Sequence, residues 1–207
     1  MEIVNRIGGV VLCGGQSRRM GRPKAWLPFG DELMLPRVVR LLGMAVAPMV
    51  VVAAVDREVP PLPSDAELLR DPSPDLGPLQ GIAVGLGALR GRADVAYVSS
   101  CDVPFLQPAF VRRLNTLLGE YAMCVPEVAG FRHPLAAVYR IEVAALAEYL
   151  LAENCRRLSL LCDAAPTRFV LADELRDVDP AFQTLRNLNT PEAYETALRD
   201  WRLMDRR

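Results

Sequence analysis

The sequence predicts an α/β fold with a mainly parallel sheet and helices on both of its faces. Two observations carry this. Short apolar runs alternate along the chain with segments of helical spacing, the pattern of repeated strand–helix–strand units. The clearest run, Pro48–Val55 (PMVVVAAV), is apolar throughout, as expected of a strand covered on both sides.

The elements follow in order. Gly9–Cys13 (GVVLC) is a short buried strand ended by Gly14 and Gly15. Leu33–Ala45 has helical spacing, and Pro36 sits in an early turn, where no amide donor is needed. Arg57–Pro63 is proline-rich and reads as a surface loop. Leu79–Leu89 is a helix of small residues after a Gly-Pro turn, Asp94–Ser99 a strand, and Cys101–Phe105 the turn at its end. Pro108–Leu118 opens with proline and reads as a helix. Ala122–Pro126 and His133–Tyr139 are strands separated by a turn at Gly130, and Ile141–Glu153 is an amphipathic helix. Arg168–Leu171 is a short edge strand, and Pro191–Trp201 closes the chain as a helix capped by Thr190. No repeat or low-complexity tract interrupts this order, so residues 1–207 read as a single domain.

Composition narrows the function. Hydrophobic residues make up 51% and charged residues 24%, enough to bury a core. With 24 basic and 25 acidic residues, the net charge of −1 gives no broad attraction to nucleic acid or to an anionic membrane. Five cysteines, an odd count without a CxxC pair, argue for reduced thiols rather than a disulfide framework or a zinc site. No apolar stretch approaches the roughly 18 residues of a membrane span, and the N-terminus lacks signal-peptide character, so a cytoplasmic location is expected.

The most informative segment is Leu12-Cys13-Gly14-Gly15-Gln16-Ser17-Arg18-Arg19-Met20-Gly21-Arg22-Pro23-Lys24. A buried strand ends in two glycines, and four cations follow. Glycines let backbone N–H groups approach an anion, and the cations neutralise a polyphosphate. Ligands of parallel α/β sheets sit at the carboxyl ends of strands, where this loop falls. It is not a Walker A loop, because Gly21 is followed by Arg22-Pro23, and no GxGxxG follows the strand. Gly85-Leu86-Gly87 lies inside the expected helix and reads as tight packing. The plain alternative for the loop is a basic surface turn.

Asp102, in Ser99-Ser100-Cys101-Asp102-Val103-Pro104, is an acid at a strand end on the same edge. A hard cation such as Mg²⁺ takes one or two protein carboxylates plus substrate phosphate oxygens. An Asx turn before Pro104 is the competing reading. Asp71 falls in a stretch of acids, prolines and glycines running to Gly81, which reads as a shaped loop able to hold a base or ribose. His133 lacks an acidic or cysteine partner, Ser99 and Ser100 lack a histidine, and Cys101 reads as packed rather than metal-binding. Trp26 and Phe29 read as anchors of the loop on the core, with stacking on a base as the alternative.

Together, LCGGQSRRMGRPK, RDPSPDLGPLQG, SSCDVPFL and Arg186-Asn187-Leu188-Asn189-Thr190-Pro191-Glu192 resemble the molybdenum cofactor nucleotidyltransferases, and within them the guanylyltransferases. The strand His133–Tyr139 fits the same pattern, and the resemblance covers nearly the whole chain in order. It implies a Rossmann-like three-layer α/β/α sandwich of the nucleotide-diphospho-sugar transferase type. It implies an enzyme that uses GTP with Mg²⁺ as cofactor, joins GMP to the terminal phosphate of molybdopterin and releases pyrophosphate. By the same resemblance, backbone at Leu12, Cys13, Gly14 and Gly15 holds the nucleotide, Arg19 and Lys24 meet phosphates, and Asp71 contacts the nucleoside. Asp102 binds the metal, Asn187 and Asn189 hold the pterin or its phosphate, and Gly77 and Gly81 shape the pocket. Transient contact with molybdoenzymes or other cofactor-biosynthesis proteins is also implied.

Two departures bear on the identity of the base, and the first, at Arg22-Pro23-Lys24, resembles the cytidylyltransferase relatives. Arg22-Pro23-Lys24 lacks the glycine and acid common before the lysine, and Ala53-Ala54 stands where an asparagine often sits. CTP therefore stands beside GTP as a substrate. A non-catalytic nucleotide-binding partner of molybdoenzyme assembly is the alternative of another class, and a dinucleotide-dependent oxidoreductase is disfavoured by the missing fingerprint.

Overall fold

In the computed structural model the structure describes residues 5–14 and 20–205. The chain runs β1 (Ile7–Cys13), β2 (Pro28–Phe29), β3 (Glu32–Leu33), α1 (Met34–Gly43), β4 (Met49–Ala54), β5 (Ala66–Asp71), α2 (Pro78–Ala88) and β6 (Val95–Ser100). It continues through α3 (Pro108–Leu117), β7 (Met123–Val128), β8 (Phe131–Arg132), β9 (Ala136–Arg140), α4 (Val143–Ala152), α5 (Leu158–Ala164), β10 (Thr167–Leu171) and α6 (Pro191–Asp205).

The main sheet has the order β10-β7-β9-β6-β1-β4-β5, with β8 paired to β7. β1 lies in its interior, parallel to both β4 and β6, and β5 runs parallel to β4 at the edge. β9 is antiparallel to both β6 and β7, so the sheet is mixed and mostly parallel. The central strands are apolar throughout because both faces are covered. Val10 and Leu12 of β1 pack with α2, α4 and α5 on one face, while Val11 packs with α1 and α3 on the other. The expected three layers are present. α2 approaches β1 closely at Gly85, where a Cβ would fall 2.4 Å from Val10 Cγ1. Gly85 is therefore a packing residue, as its position suggested, whereas a Cβ at Gly87 would meet nothing within 4 Å.

A third apolar cluster fixes the C-terminal end. Met20, Leu27, Phe29, Met34 and Phe105 pack with Leu188 and Ala197, and Trp201 of α6 flanks them. Phe29 and Phe105 meet edge to face at 5.4 Å, and the Tyr194 hydroxyl donates to the Pro28 carbonyl. α6 is thus stapled to the segment that follows the glycine loop.

Several short elements escaped the sequence reading. β5 reads as loop because Ala66–Asp71 (AELLRD) is polar and mostly exposed, and its strand state comes from pairing with β4 at the sheet edge. α5 is only 7 residues long, and β2 and β3 form a hairpin of two residues each, too short for a periodic signal.

Candidate active site

The site forms where β1, β4, β5 and β6 end at one rim. Register sets this. Leu12 of β1 lies opposite Ser100 of β6, and Ala54 of β4 opposite Asp71 of β5. The Cys101 amide donates to the Leu12 carbonyl at 3.1 Å, holding the turn after β6 against the end of β1. Gly14 and Asp102 are therefore neighbours at the carboxyl edge, as expected for a ligand site in a parallel sheet.

Asp102 is the hub. Its side chain is only 7% exposed and that of Lys24 17%, and Lys24 Nζ donates to Asp102 Oδ2 at 2.6 Å. The Ser100 hydroxyl donates to Asp102 Oδ1 at 2.7 Å, and Asn187 Nδ2 donates to the same oxygen at 2.9 Å. Asn187 Nδ2 also reaches Ser100 Oγ at 2.9 Å. Lys24 Nζ donates to Asn189 Oδ1 at 2.6 Å. Buried charge is tolerated only when paired and hydrogen-bonded, and each group here has such partners.

The two asparagines are placed by the residue between them. Leu188 is buried in the third apolar cluster, and its amide donates to the Asp102 carbonyl at 3.0 Å. In extended chain, side chains alternate in direction, so Asn187 and Asn189 turn together away from the core and toward Asp102 and Lys24. Lys24 opens a short 3-10 turn (Lys24–Trp26) packed beneath α1. Of the two aromatic anchors, Phe29 is fully buried, while Trp26 is 40% exposed and donates its indole N–H to the Glu58 carbonyl at 3.2 Å.

A cleft of about 280 Å³ adjoins this hub, lined by Leu12, Gly14, Val52, Asp71, Gly77 and Gly81, among others, with Ser100 shared between cleft and hub. Asp71 is the last residue of β5 rather than part of a loop. It is 6% exposed, and its Oδ1 accepts from the Ser73 amide at 2.8 Å, which shapes the turn that follows. Gly77 precedes α2 with φ +79°, a conformation that L side chains rarely adopt, and Pro78 starts the helix. At Gly81 a Cβ would reach within 3.0 Å of Leu12 Cδ2, so glycine keeps α2 close to the cleft wall.

The structure thus brings Lys24, Asp102, Asn187 and Asn189 into one network. It sets Leu12, Gly14, Asp71, Gly77 and Gly81 around the adjoining cleft. The side chain of Cys13 points into the opposite layer, so any contact from that residue toward the cleft would come from backbone. Gly15 and Arg19 lie outside the described residues. Ser100 was not assigned a site role from sequence, although its spacing of two from Asp102 was a usable signal. Leu135, which lines the cleft from the β8–β9 connection, carried none.

Two thiols lie just below. The neighbouring Cys101 thiol, aided by the charges of Arg57 and Arg70, holds Cys13 below the ordinary thiol range. The Cys13 thiol, together with burial, raises Cys101 well above it. All five cysteines are free. Burial keeps His133 below the usual imidazole range. Among the described residues no cluster of three His, Cys, Asp or Glu side chains could hold a metal, and no helix is long and apolar enough to cross a membrane.

Residues 9–165 match the family described as MobA-like NTP transferase domain. A protein of Mycobacterium tuberculosis H37Rv named "Probable molybdenum cofactor guanylyltransferase" is 38% identical over 172 residues, spanning 81% of this chain and 85% of that protein. A protein of the same name from Mycobacterium marinum is 37% identical over the same shares. Among solved structures, molybdopterin-guanine dinucleotide biosynthesis protein A from Archaeoglobus fulgidus superposes with a TM-score of 0.78 at 21% identity, over 94% of this chain and 98% of that one. The 2-C-methyl-D-erythritol 4-phosphate cytidylyltransferase of Thermus thermophilus does so with a TM-score of 0.68 at 17% identity, over 94% and 98%. At these identities the two structures speak for the fold, that of nucleotidyltransferases. With a family match over most of its length and relatives well above 30% identity, the chain belongs to the MobA-like NTP transferase family and is a nucleotidyltransferase.

Proposed function

We propose that the chain, acting as one domain, transfers GMP from GTP to the terminal phosphate of molybdopterin, giving molybdopterin guanine dinucleotide and pyrophosphate. The observation that supports this most is the 2.6 Å contact of Lys24 with Asp102, joined through Ser100 to the cleft that Asp71 and Gly81 line. A cation and an acid far apart in sequence converge beside a cavity suited to a base and ribose. The relatives' names supply the donor and acceptor.

The reaction forms a bond from a pterin phosphate oxygen to the α-phosphorus of GTP and breaks the bond from that phosphorus to pyrophosphate. The attacking phosphate is already anionic, so no general base is needed, and the barrier lies in anion repulsion and in charge on the leaving group. In this reading the Lys24 ammonium neutralises phosphate oxygens, and Gly14 backbone lies against the nucleotide. Asp71 accepts hydrogen bonds from the nucleoside. Asn187 and Asn189 orient Asp102 and Lys24 and stand ready to bond the acceptor phosphate. Arg19 adds a guanidinium to the phosphates.

Asp102 offers carboxylate oxygens with the Ser100 hydroxyl beside them, and the carboxylate already draws the Lys24 ammonium to 2.6 Å, which fits a hard ion such as Mg²⁺ held by one carboxylate and substrate phosphates. When bound there, such an ion would supply charge neutralisation between the phosphates. Protein groups aimed at developing charge are typically worth about 3 kcal/mol each. The cytoplasm, where GTP is available, is the compartment this reading requires.

One feature favours CTP as a second reading: Ala53 and Ala54 line the cleft and present no side-chain amide to a base. Pyrophosphate release tests both readings, with molybdopterin, Mg²⁺ and each of GTP, CTP, ATP and UTP supplied separately. GTP is expected to be preferred. A clear preference for CTP refutes the guanylyl assignment, and nucleotide binding without pyrophosphate release refutes the enzyme reading.

A further inference from the structure

Cys13 closes β1, and Cys101 follows β6 directly. The parallel register that sets Leu12 opposite Ser100 brings the next residues, Cys13 and Cys101, side by side. The Cys101 amide also donates to the Leu12 carbonyl at 3.1 Å. Their side chains share a face. Val11 and Tyr97 pack into the layer of α1 and α3, and Cys13 and Cys101, two and four residues further on, pack into the same layer. Adjacent strands stand about 4.8 Å apart, inside the Cα separation of about 4.4–6.8 Å that a disulfide spans. Cys13 is partly exposed and Cys101 buried, so an oxidant from solvent meets Cys13 first.

We propose that Cys13 and Cys101 are a modification site, forming a reversible intrachain disulfide under hydroperoxide and thereby weakening nucleotide binding. The Cys13 thiolate attacks a peroxide oxygen; an S–O bond forms, the O–O bond breaks, and hydroxide leaves and takes up a proton. The Cys101 sulfur then attacks the Cys13 sulfur; the S–S bond forms, the S–O bond breaks, and the sulfenic oxygen departs as water with the second thiol's proton. Two electrons pass from the two sulfurs to one peroxide, which becomes two waters. A dithiol reductant reverses the change.

Closing the bond draws the sulfurs to about 2.05 Å. One sulfur precedes Gly14 and the other precedes Asp102, so the movement acts on both sides of the rim. The hydrogen bonds that orient Asp102 are 2.6–2.9 Å long and cannot follow a shift of that turn without stretching. This second half rests on the nucleotide site proposed above; the disulfide itself does not.

Reduced protein is treated with hydrogen peroxide, remaining thiols are alkylated, and the digest is mapped by mass spectrometry. GTP affinity in the presence of Mg²⁺ is measured before oxidation, after it, and after dithiothreitol. A linked Cys13–Cys101 peptide pair is expected, with affinity falling at least about ten-fold and recovering on reduction. In Cys101→Ala and Cys13→Ala, each compared with its own reduced form, the linked pair and the reversible fall are both expected to vanish. The proposal is overturned if the wild-type map shows no linked pair, a result that needs no variant to fold. It is equally overturned if the pair forms and affinity does not change. If the reduced protein binds no nucleotide while the pair forms, the nucleotide reading fails and the disulfide stands.

Discussion

Replacing Lys24 with alanine removes an ammonium that lies 2.6 Å from both Asp102 Oδ2 and Asn189 Oδ1. At an effective dielectric constant of about 20, two unit charges at that distance attract by about 6 kcal/mol. Much of this is offset by the desolvation of two side chains that are 17% and 7% exposed. Truncation leaves Asp102 charged and buried, with Ser100 and Asn187 as neutral donors, for a net stability loss of about 3 kcal/mol. In a chain of this size that lowers Tm by about 6–12 °C. The fold survives, because the central sheet and its two apolar layers are untouched. Turnover falls further, since a donor aimed at developing charge is lost: about 3 kcal/mol of barrier, or about 150-fold in kcat. Calorimetry gives the first number, and pyrophosphate release with saturating GTP and molybdopterin gives the second. A purified Lys24→Ala protein with kcat within about three-fold of wild type, under 1 kcal/mol, would refute the assignment of Lys24 to the reacting phosphates.

Four further outcomes are expected. Asp102→Asn should reduce turnover at least as much as Lys24→Ala, and the rise in Tm that Mg²⁺ with GTP produces in wild type should disappear, a readout independent of catalysis. Leu188→Ala empties a fully buried position in the third apolar cluster and should cost about 2–5 kcal/mol in denaturant unfolding, with KM for the acceptor raised because Asn187 and Asn189 lose their anchor. Gly85→Ala forces a methyl to 2.4 Å from Val10 Cγ1; overpacking of about 1–3 kcal/mol exceeds the helix-propensity gain of about 1 kcal/mol, so urea unfolding should show a net loss. The hydrogen bond from Arg40, with the charges of Arg40 and Arg37, holds the Glu32 carboxyl below its usual 4.5. The stability it contributes is therefore present above that pH and lost as pH falls through the lower folded value, so the Tm gap between wild type and Glu32→Gln should close on acidification.

Much of the architecture is legible in local pattern. β1, β4 and β6 are continuous apolar runs because both faces of the sheet are covered, and such runs are visible without knowing what covers them. The starts of α3 and α6 are announced by Pro108 and Pro191, and Thr190 does cap the latter, its hydroxyl accepting from the Ala193 amide at 3.2 Å. The glycine turn after β1 and the acid after β6 stand out for the same reason: special backbone and lone charge at the end of an apolar run mark an edge.

What local pattern cannot supply is pairing. β5 is a strand only because β4 offers it hydrogen bonds, and nothing in AELLRD announces that partner. The meeting of Lys24 with Asp102 joins residues 78 apart, and that of Lys24 with Asn189 joins residues 165 apart. Family resemblance assigned the asparagines to the pterin; only the packed chain sets them against the lysine and the acid. Their direction follows from Leu188, which is driven into an apolar cluster built from residues 20–34, Phe105 and α6. Periodicity and caps report the energetics of a few adjacent residues, whereas the order of strands in the sheet and the burial of one leucine are decided by the whole core at once, and it is these that converge the charges.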